Sequence, residues 1–548
     1  MKRDMLLILL SVVLLSVGWL GLSGLGLLVA FVPLLMLSEK AENSRRGWWQ
    51  TFWRALLSFV LWNVATIWWI WNATPIGPIA ATLFSTFYNM VAFMLYHTVV
   101  KKAPRALAYT TLVAAWIATE YWYTSGDFSW PWLTLGNGFS HDVWAVQWYE
   151  WTGVFGGSLW VLVSNLLVFE AIRHRTPHKI VAALAGIVLP VIVSLGLWFG
   201  YEEPSETVRV SAIQPNVDCY EKFDNTDALQ VANIFDLLGE VPAGVDFILL
   251  PETAMPGHYW EPTLSKQPPY KVHRSHQPMQ GGYARLVSKL VPSEQPEHTL
   301  WNALRDTLRL HHPEAMVLTG ANTNRFYTPG LQTETARRTD GGYYDHFNTA
   351  VGVDTTHRVQ LHHKGKLVIG VENTPTWVFS LMDFLVVDLG GIVGQIGIGK
   401  HGSAFEHRGV KIGPAICYEG VYGEFFGDHV RRGAELMAIL TNDGWWGDTP
   451  GYEHLFTLSR LRAIEHRRAV VRSANTGRSG FISARGEISS TLGWEERGVL
   501  TEEVALNREQ TLYTRYGDYL GRVANYLLLL SVLYYMAYRV KRRNYLVD

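Results

Sequence analysis

The length of the apolar runs constrains this chain most. Residues 6–37 are an apolar stretch of 32. A helix needs about 20 apolar residues to cross a bilayer, so this stretch is too long for one comfortable span. "GWLGLSGLG" near its middle reads as a turn, predicting two helices over roughly 5–20 and 22–38. Further spans are predicted at about 54–72, 78–100, 106–124, 155–172 and 179–200, and a last one over 519–538 around "YLLLLSVLYYMAYRV". The predicted total is eight. The N-terminal run lacks a small-residue cleavage site and more spans follow it, so it is read as a span, not a leader.

The distribution of basic residues tests that count, because cytoplasmic loops carry the excess of Lys and Arg. Lys2 and Arg3 precede the first span. Lys40, Arg45, Arg46 and Arg54 follow the second, Lys101, Lys102 and Arg105 the fourth, and Arg173, Arg175 and Lys179 the sixth. Arg539, Lys541, Arg542 and Arg543 follow the eighth. With eight spans every cluster falls on one side, while the opposite short loops, such as "NATPIGP", lack Lys and Arg. Both termini are then cytoplasmic. The chain divides into a seven-helix membrane domain (1–200), a domain on the outer face (201–518), and a last helix with a basic tail (519–548).

Composition agrees with this division. The 23 Trp and 13% aromatic content suit interfacial belts. A net charge of −1 gives no basic excess for nucleic acid. The Trp-rich loop at 125–154 reads either as an interfacial anchor or as an amphipathic segment beside a lipid entrance.

Residues 202–518 have a different pattern. Strand-like runs such as "VRVSAIQ", "DFILLP", "EAMVLTGA", "FNTAVGVD", "VKIGPAI" and "ELMAILTN" alternate with helical ones, including "HLFTLSRLRAIEHRRA" at 454–469. Such mixing predicts a layered α/β domain. Segments 258–298 and 374–408 show little periodicity, and loops that long are usually functional or disordered.

The chain has two cysteines. Cys417 ends a strand-like run in "GPAICYEGVYG". It can be a small packed hydrophobe, half of a disulfide with Cys219 in an oxidising outer compartment, or a nucleophile. A thiol nucleophile needs a base and an oxyanion partner. Glu252, at the end of "DFILLPE", and Lys364, after "VQLHHK", supply those residue types, and Glu419 stands two residues after the thiol. The 19 His residues show no metal-ligand spacing, and most read as surface residues.

Longer motifs carry a resemblance. "LLPETAMP" (249–256), "HHKGKLVIGVENTP" (362–375) and "AICYEG" (415–420) resemble the Glu, Lys and Cys motifs of the nitrilase superfamily. With "LTNDGWWGDTPGYEHL", "RAIEHRRAVVRSANTGRSGFISARGEI", "LYTRYGDYLGR" and the eight-span pattern, the chain resembles the apolipoprotein N-acyltransferases, integral enzymes of the Gram-negative inner membrane. The resemblance implies a four-layer α-β-β-α sandwich on the periplasmic face. It implies acyl transfer from a phospholipid to the α-amine of a diacylglyceryl-cysteine apolipoprotein, the last step of lipoprotein maturation, by a ping-pong route through a thioester. Cys417 is then the nucleophile, Glu252 the general base and Lys364 the oxyanion stabiliser. Glu372 would orient or balance Lys364, Tyr418 and Glu419 would support the thiol, and Phe223 would contact lipid where the family has Trp. No cofactor and no metal are implied. The chain departs from the family at His362, where Tyr is usual, and at Ile369 and Gly370, where Pro and Phe are usual. The competing readings are a membrane-tethered amidase or hydrolase using the same residues, and a non-catalytic lipid-binding or transport protein.

Overall fold

The structure is a computed structural model. It describes residues 2–126, 129–217, 219, 227–261, 264, 300–339, 341–356, 358–369, 372 and 396–544. Phe223 and most of 258–298 and 374–408 lie outside the described residues. The chain forms two compact units. One comprises Met1–Glu202, Thr449–His466 and Thr511–Asp548; the other Glu203–Asp448 and Arg467–Gln510.

The first unit is helical. Among the described residues five helices are long and apolar enough to cross a membrane: Arg45–Asn72, Gly77–Val100, Val154–His174, Pro177–Gly200 and Tyr519–Arg542. Helices also form at Lys2–Ser16 and Arg105–Ser125. The predicted 22–38 span is not one helix. It is a 3-10 segment, Gly24–Val29, followed by Val32–Lys40. At the break, Asn165 Oδ1 accepts from Phe31 N at 2.7 Å and from Val32 N at 3.1 Å, which takes up backbone donors that a continuous helix would use internally.

The 125–154 loop is packed rather than spread on a surface. Its described part contains three short 3-10 segments, with Trp132, Leu133, Leu135 and Phe139 buried. Glycine makes this possible. A Cβ on Gly136 would lie 1.9 Å from the Val154 carbonyl oxygen, so this approach tolerates no side chain. Trp144 and Trp151 remain exposed.

Helix Pro450–His466, which the sequence pattern groups with the outer domain, belongs to the helical unit. It is buried along nearly its whole length. Gly451 lies against the Trp69 ring, His454 Nε2 bonds the Trp19 carbonyl, and Glu465 Oε1 accepts from Val154 N at 3.0 Å.

The second unit holds two sheets. One runs β14-β1-β2-β4-β6-β5, with β3 paired to β4 and β7 to β6; the other runs β13-β12-β11-β10-β9-β8. The strands of the first are β1 (Thr207–Gln214), β2 (Phe247–Leu249), β3 (Met255–Trp260), β4 (Met316–Tyr327), β5 (Arg337–Thr339), β6 (Gly342–Val353), β7 (Val359–His363) and β14 (Gly498–Ala505). Those of the second are β8 (Phe405–His407), β9 (Val410–Ile416), β10 (Leu436–Thr441), β11 (Val470–Ala474), β12 (Ser479–Ile482) and β13 (Ile488–Leu492). β1-β2-β4 and β9-β10-β11 are parallel ladders. Their inner strands read as continuous apolar runs because both faces are covered. β1 packs against β11, and Ser473 Oγ donates to the Ile213 carbonyl at 2.7 Å. Helices Asp227–Glu240 and Leu300–His311 cover the first sheet through Val231, Ile234, Leu237, Trp301, Leu304 and Leu308. Helix Gly423–Arg431 packs on β9 of the second sheet.

Candidate active site

The predicted groups stand just beyond strand ends, where a side chain leaves the ladder while its backbone stays anchored. Glu252 follows β2, Lys364 follows β7 and Cys417 follows β9. All three are buried: Glu252 is 6% exposed, Lys364 1% and Cys417 7%. A buried charge demands partners. Lys364 Nζ lies 2.9 Å from Glu252 Oε1 and 2.8 Å from Glu372 Oε1. Asn348 Nδ2, from β6, donates to the same two oxygens at 2.7 and 3.2 Å. Glu372 Oε2 is held by Val368 N at 2.9 Å. Burial alone would lower the Lys364 ammonium, but Glu252 and Glu372 hold it well above the ordinary lysine value. Its charged form is favoured by the two carboxylates it touches.

Cys417 has φ +47°, in the left-handed region. For a non-glycine residue this costs on the order of 1–3 kcal/mol. Glu419 holds the turn in place. Its carboxylate is 0% exposed, and accepts from Ile416 N and from Gly365 N, each at 2.6 Å. One carboxylate thus ties the residue before the thiol to the residue after the lysine. His362 Nε2 lies 3.1 Å from Glu419 Oε2. Burial pushes Glu419 up, but His362, His429 and the Gly365 N–H together pull it below its usual value.

Burial and the Glu252 anion push the Cys417 thiol up to about 12, against the opposing pull of Lys364 and a hydrogen bond with Thr441. The resting thiol is therefore protonated, and its proton must leave as it attacks. No disulfide joins Cys417 and Cys219. Tyr418 is buried and packs edge-on against Tyr422 at 5.2 Å.

Sequence reasoning missed Asn348, which bridges the two carboxylates, and Thr441, which touches the thiol. Each is a polar residue inside an apolar strand run, which is the signal that marks them. It also missed that His362 and His429 are buried, at 1% and 0% exposure, because neither stands in a recognisable spacing. Burial and His362 push His429 down to about 4, so its imidazole is neutral at pH 7.

The resemblance read from the motifs is borne out by comparison with known proteins. Residues 209–513 match the carbon-nitrogen hydrolase family, and residues 7–167 match the apolipoprotein N-acyltransferase N-terminal domain. The apolipoprotein N-acyltransferase of Chlorobaculum tepidum is 27% identical over 515 residues, 90% of this chain and 89% of that one. The protein of the same name from Gloeobacter violaceus is 26% identical over 94% of this chain and 90% of its own length. That from Geobacter metallireducens is 23% identical over 94% and 92%. The matched sandwich, built around buried glutamate, lysine and cysteine, makes this chain a member of the carbon-nitrogen hydrolase family.

Proposed function

We propose that this chain is a phospholipid:apolipoprotein N-acyltransferase of the bacterial inner membrane. The carrying observation is the buried Glu252–Lys364–Glu372–Asn348 network beside the free Cys417 thiol. It stands in a chain that matches, over about nine-tenths of its length, a relative bearing that name.

Glu252 takes the thiol proton as Cys417 Sγ attacks the ester carbonyl of a phospholipid. Lys364 and the Tyr418 N–H hold the oxyanion. Collapse breaks the ester C–O bond, and Glu252 returns the proton to the departing lysophospholipid alkoxide. A thioester remains on Cys417. The α-amine of a diacylglyceryl-cysteine then attacks, Glu252 accepts its proton, and collapse breaks the C–S bond and restores the thiol. An ester donor makes the thioester without external energy, and burial of the site excludes the competing water.

Eight apolar segments cross or enter the bilayer, both termini are cytoplasmic and the α/β domain is periplasmic. The one-sided distribution of Lys and Arg supports this topology. Phe223 contacts lipid. The test is purified protein in detergent with a phospholipid and a diacylglyceryl-cysteine peptide, read by mass spectrometry of peptide and Cys417 fragment. An acylated peptide and a thioester that Cys417→Ala abolishes support the reading. Released fatty acid with unmodified peptide would make the chain a hydrolase.

A further inference from the structure

Behind the nucleophile turn, three side chains from three elements converge. His362 comes from β7, Glu419 from the turn after β9, and His429 from helix Gly423–Arg431. One ligating atom from each lies within 4.8 Å of the others, and all three residues are fully buried. We propose that His362, Glu419 and His429 form a binding site for a divalent cation of the zinc class, one that fastens these three elements together. Glu419 also anchors the nucleophile turn, but neither histidine takes part in the acyl-transfer steps, and the inference does not rest on that reading.

The strongest observation is His429 Nε2. It is buried and has no hydrogen-bond partner among the described residues. The ring's other nitrogen lies 2.8 Å from the Ser403 carbonyl oxygen and 3.0 Å from the Ser403 N–H. Nδ1 pairs with Ser403 in either tautomer, which leaves Nε2 facing protein interior without a partner among the described residues. A buried polar atom without a partner is unfavourable by about 1–3 kcal/mol. A cation held between His429 Nε2 and the Glu419 carboxylate satisfies it.

The residues behind the ligands support the same reading. Metal-binding histidines almost always anchor their second ring nitrogen, and ligating carboxylates are themselves hydrogen-bonded. Here His429 Nδ1 is anchored by the Ser403 carbonyl, His362 Nδ1 lies 3.2 Å from Ser403 Oγ, and Glu419 is oriented by two backbone N–H groups. Two imidazoles and one carboxylate are a zinc ligand set. Tetrahedral bonds of about 2.0–2.1 Å set ligand atoms about 3.4 Å apart, so binding asks for a contraction of up to about 1.4 Å. A cleft lined by Leu361, Ser403 and Arg432 reaches the residues backing the cluster.

The test uses the tag-free full chain in detergent, stripped with chelator. Zn2+ binding is followed by calorimetry and thermal unfolding, and Co2+ binding by visible absorption and by X-ray absorption fine structure. The expected result is one equivalent bound, tetrahedral cobalt bands with an imidazole shell, and a Zn2+-dependent rise in Tm. His429→Gln and His362→Gln should each weaken binding at least about tenfold. No stoichiometric Zn2+ or Co2+ binding by the wild-type chain would overturn the proposal. So would unchanged affinity in both variants. If a variant fails to fold, the wild-type cobalt spectrum decides alone: an oxygen-only shell refutes the site.

Discussion

Glu419→Gln isolates the contribution of the carboxylate that positions the nucleophile. In the native protein its two oxygens accept from Ile416 N and Gly365 N at 2.6 Å each, and His362 Nε2 approaches at 3.1 Å. Glutamine keeps the shape but has one acceptor and one NH2. One backbone N–H therefore faces a donor. A hydrogen bond to a charged group is worth about 1.5–3 kcal/mol, and an unsatisfied buried donor costs about 1–3 kcal/mol. The expected destabilisation is about 3 kcal/mol, which for a domain of this size lowers Tm by roughly 6–12 °C. The pH dependence follows from the sign of the shift. Glu419 is lowered in the folded state, so its contribution is present above the ordinary glutamate value and is lost as pH falls through the folded one. The variant should lose that acid-limb component of stability. The released turn also lets Cys417 leave its φ of +47°. A nucleophile misplaced by about 1 Å loses on the order of 100-fold in rate. Thermal unfolding and single-turnover acylation of Cys417, read by mass spectrometry, check both effects. A Tm within 2 °C of wild type, or an acylation rate within about twofold, would refute the assignment of Glu419 as the anchor.

Three further outcomes are expected. In Gly320→Ala the new Cβ would sit 2.2 Å from Thr253 N and 2.6 Å from Glu252 Cα, so Glu252 must move and acyl transfer should fall while the domain stays folded; unchanged turnover counts against Glu252 as the base. Alkylation of Cys417 by iodoacetamide in the free enzyme should be slow at pH 8 and rise about tenfold per pH unit, with no plateau below about 12. Because the Glu252 anion raises the thiol, Glu252→Gln should speed alkylation at pH 8 while abolishing turnover, and slower alkylation in that variant would contradict the electrostatics. Asn348→Ala removes a donor shared by Glu252 and Glu372, and should lower kcat about 10–100-fold with little change in KM, since a bond to a charged group is worth about 1.5–3 kcal/mol; a pure KM effect would assign Asn348 to substrate binding instead.

Much of the architecture was legible in the chain because it depends on local patterns. Apolar run length marks membrane helices, and apolar strand runs bounded by turns mark the parallel ladders. Glu252, Lys364 and Cys417 stood out because each follows such a run, where reactive groups sit on α/β scaffolds. Which residues meet depended on pairing. β7 beside β6 sets Lys364 N on the Asn348 carbonyl, and no spacing in the sequence announces that Asn348 serves both glutamates. The broken 22–38 span was equally hidden, because Asn165, far along the chain, accepts the backbone N–H groups at the break. Helix Pro450–His466 lacks a polar face to show which unit buries it. The sequence by itself determined the apolar segments, the strand runs and the reactive residue types, because these follow from nearest-neighbour chemistry. Only the tertiary structure decided the partners of each buried charge, because those partners come from strands and turns far apart in the chain.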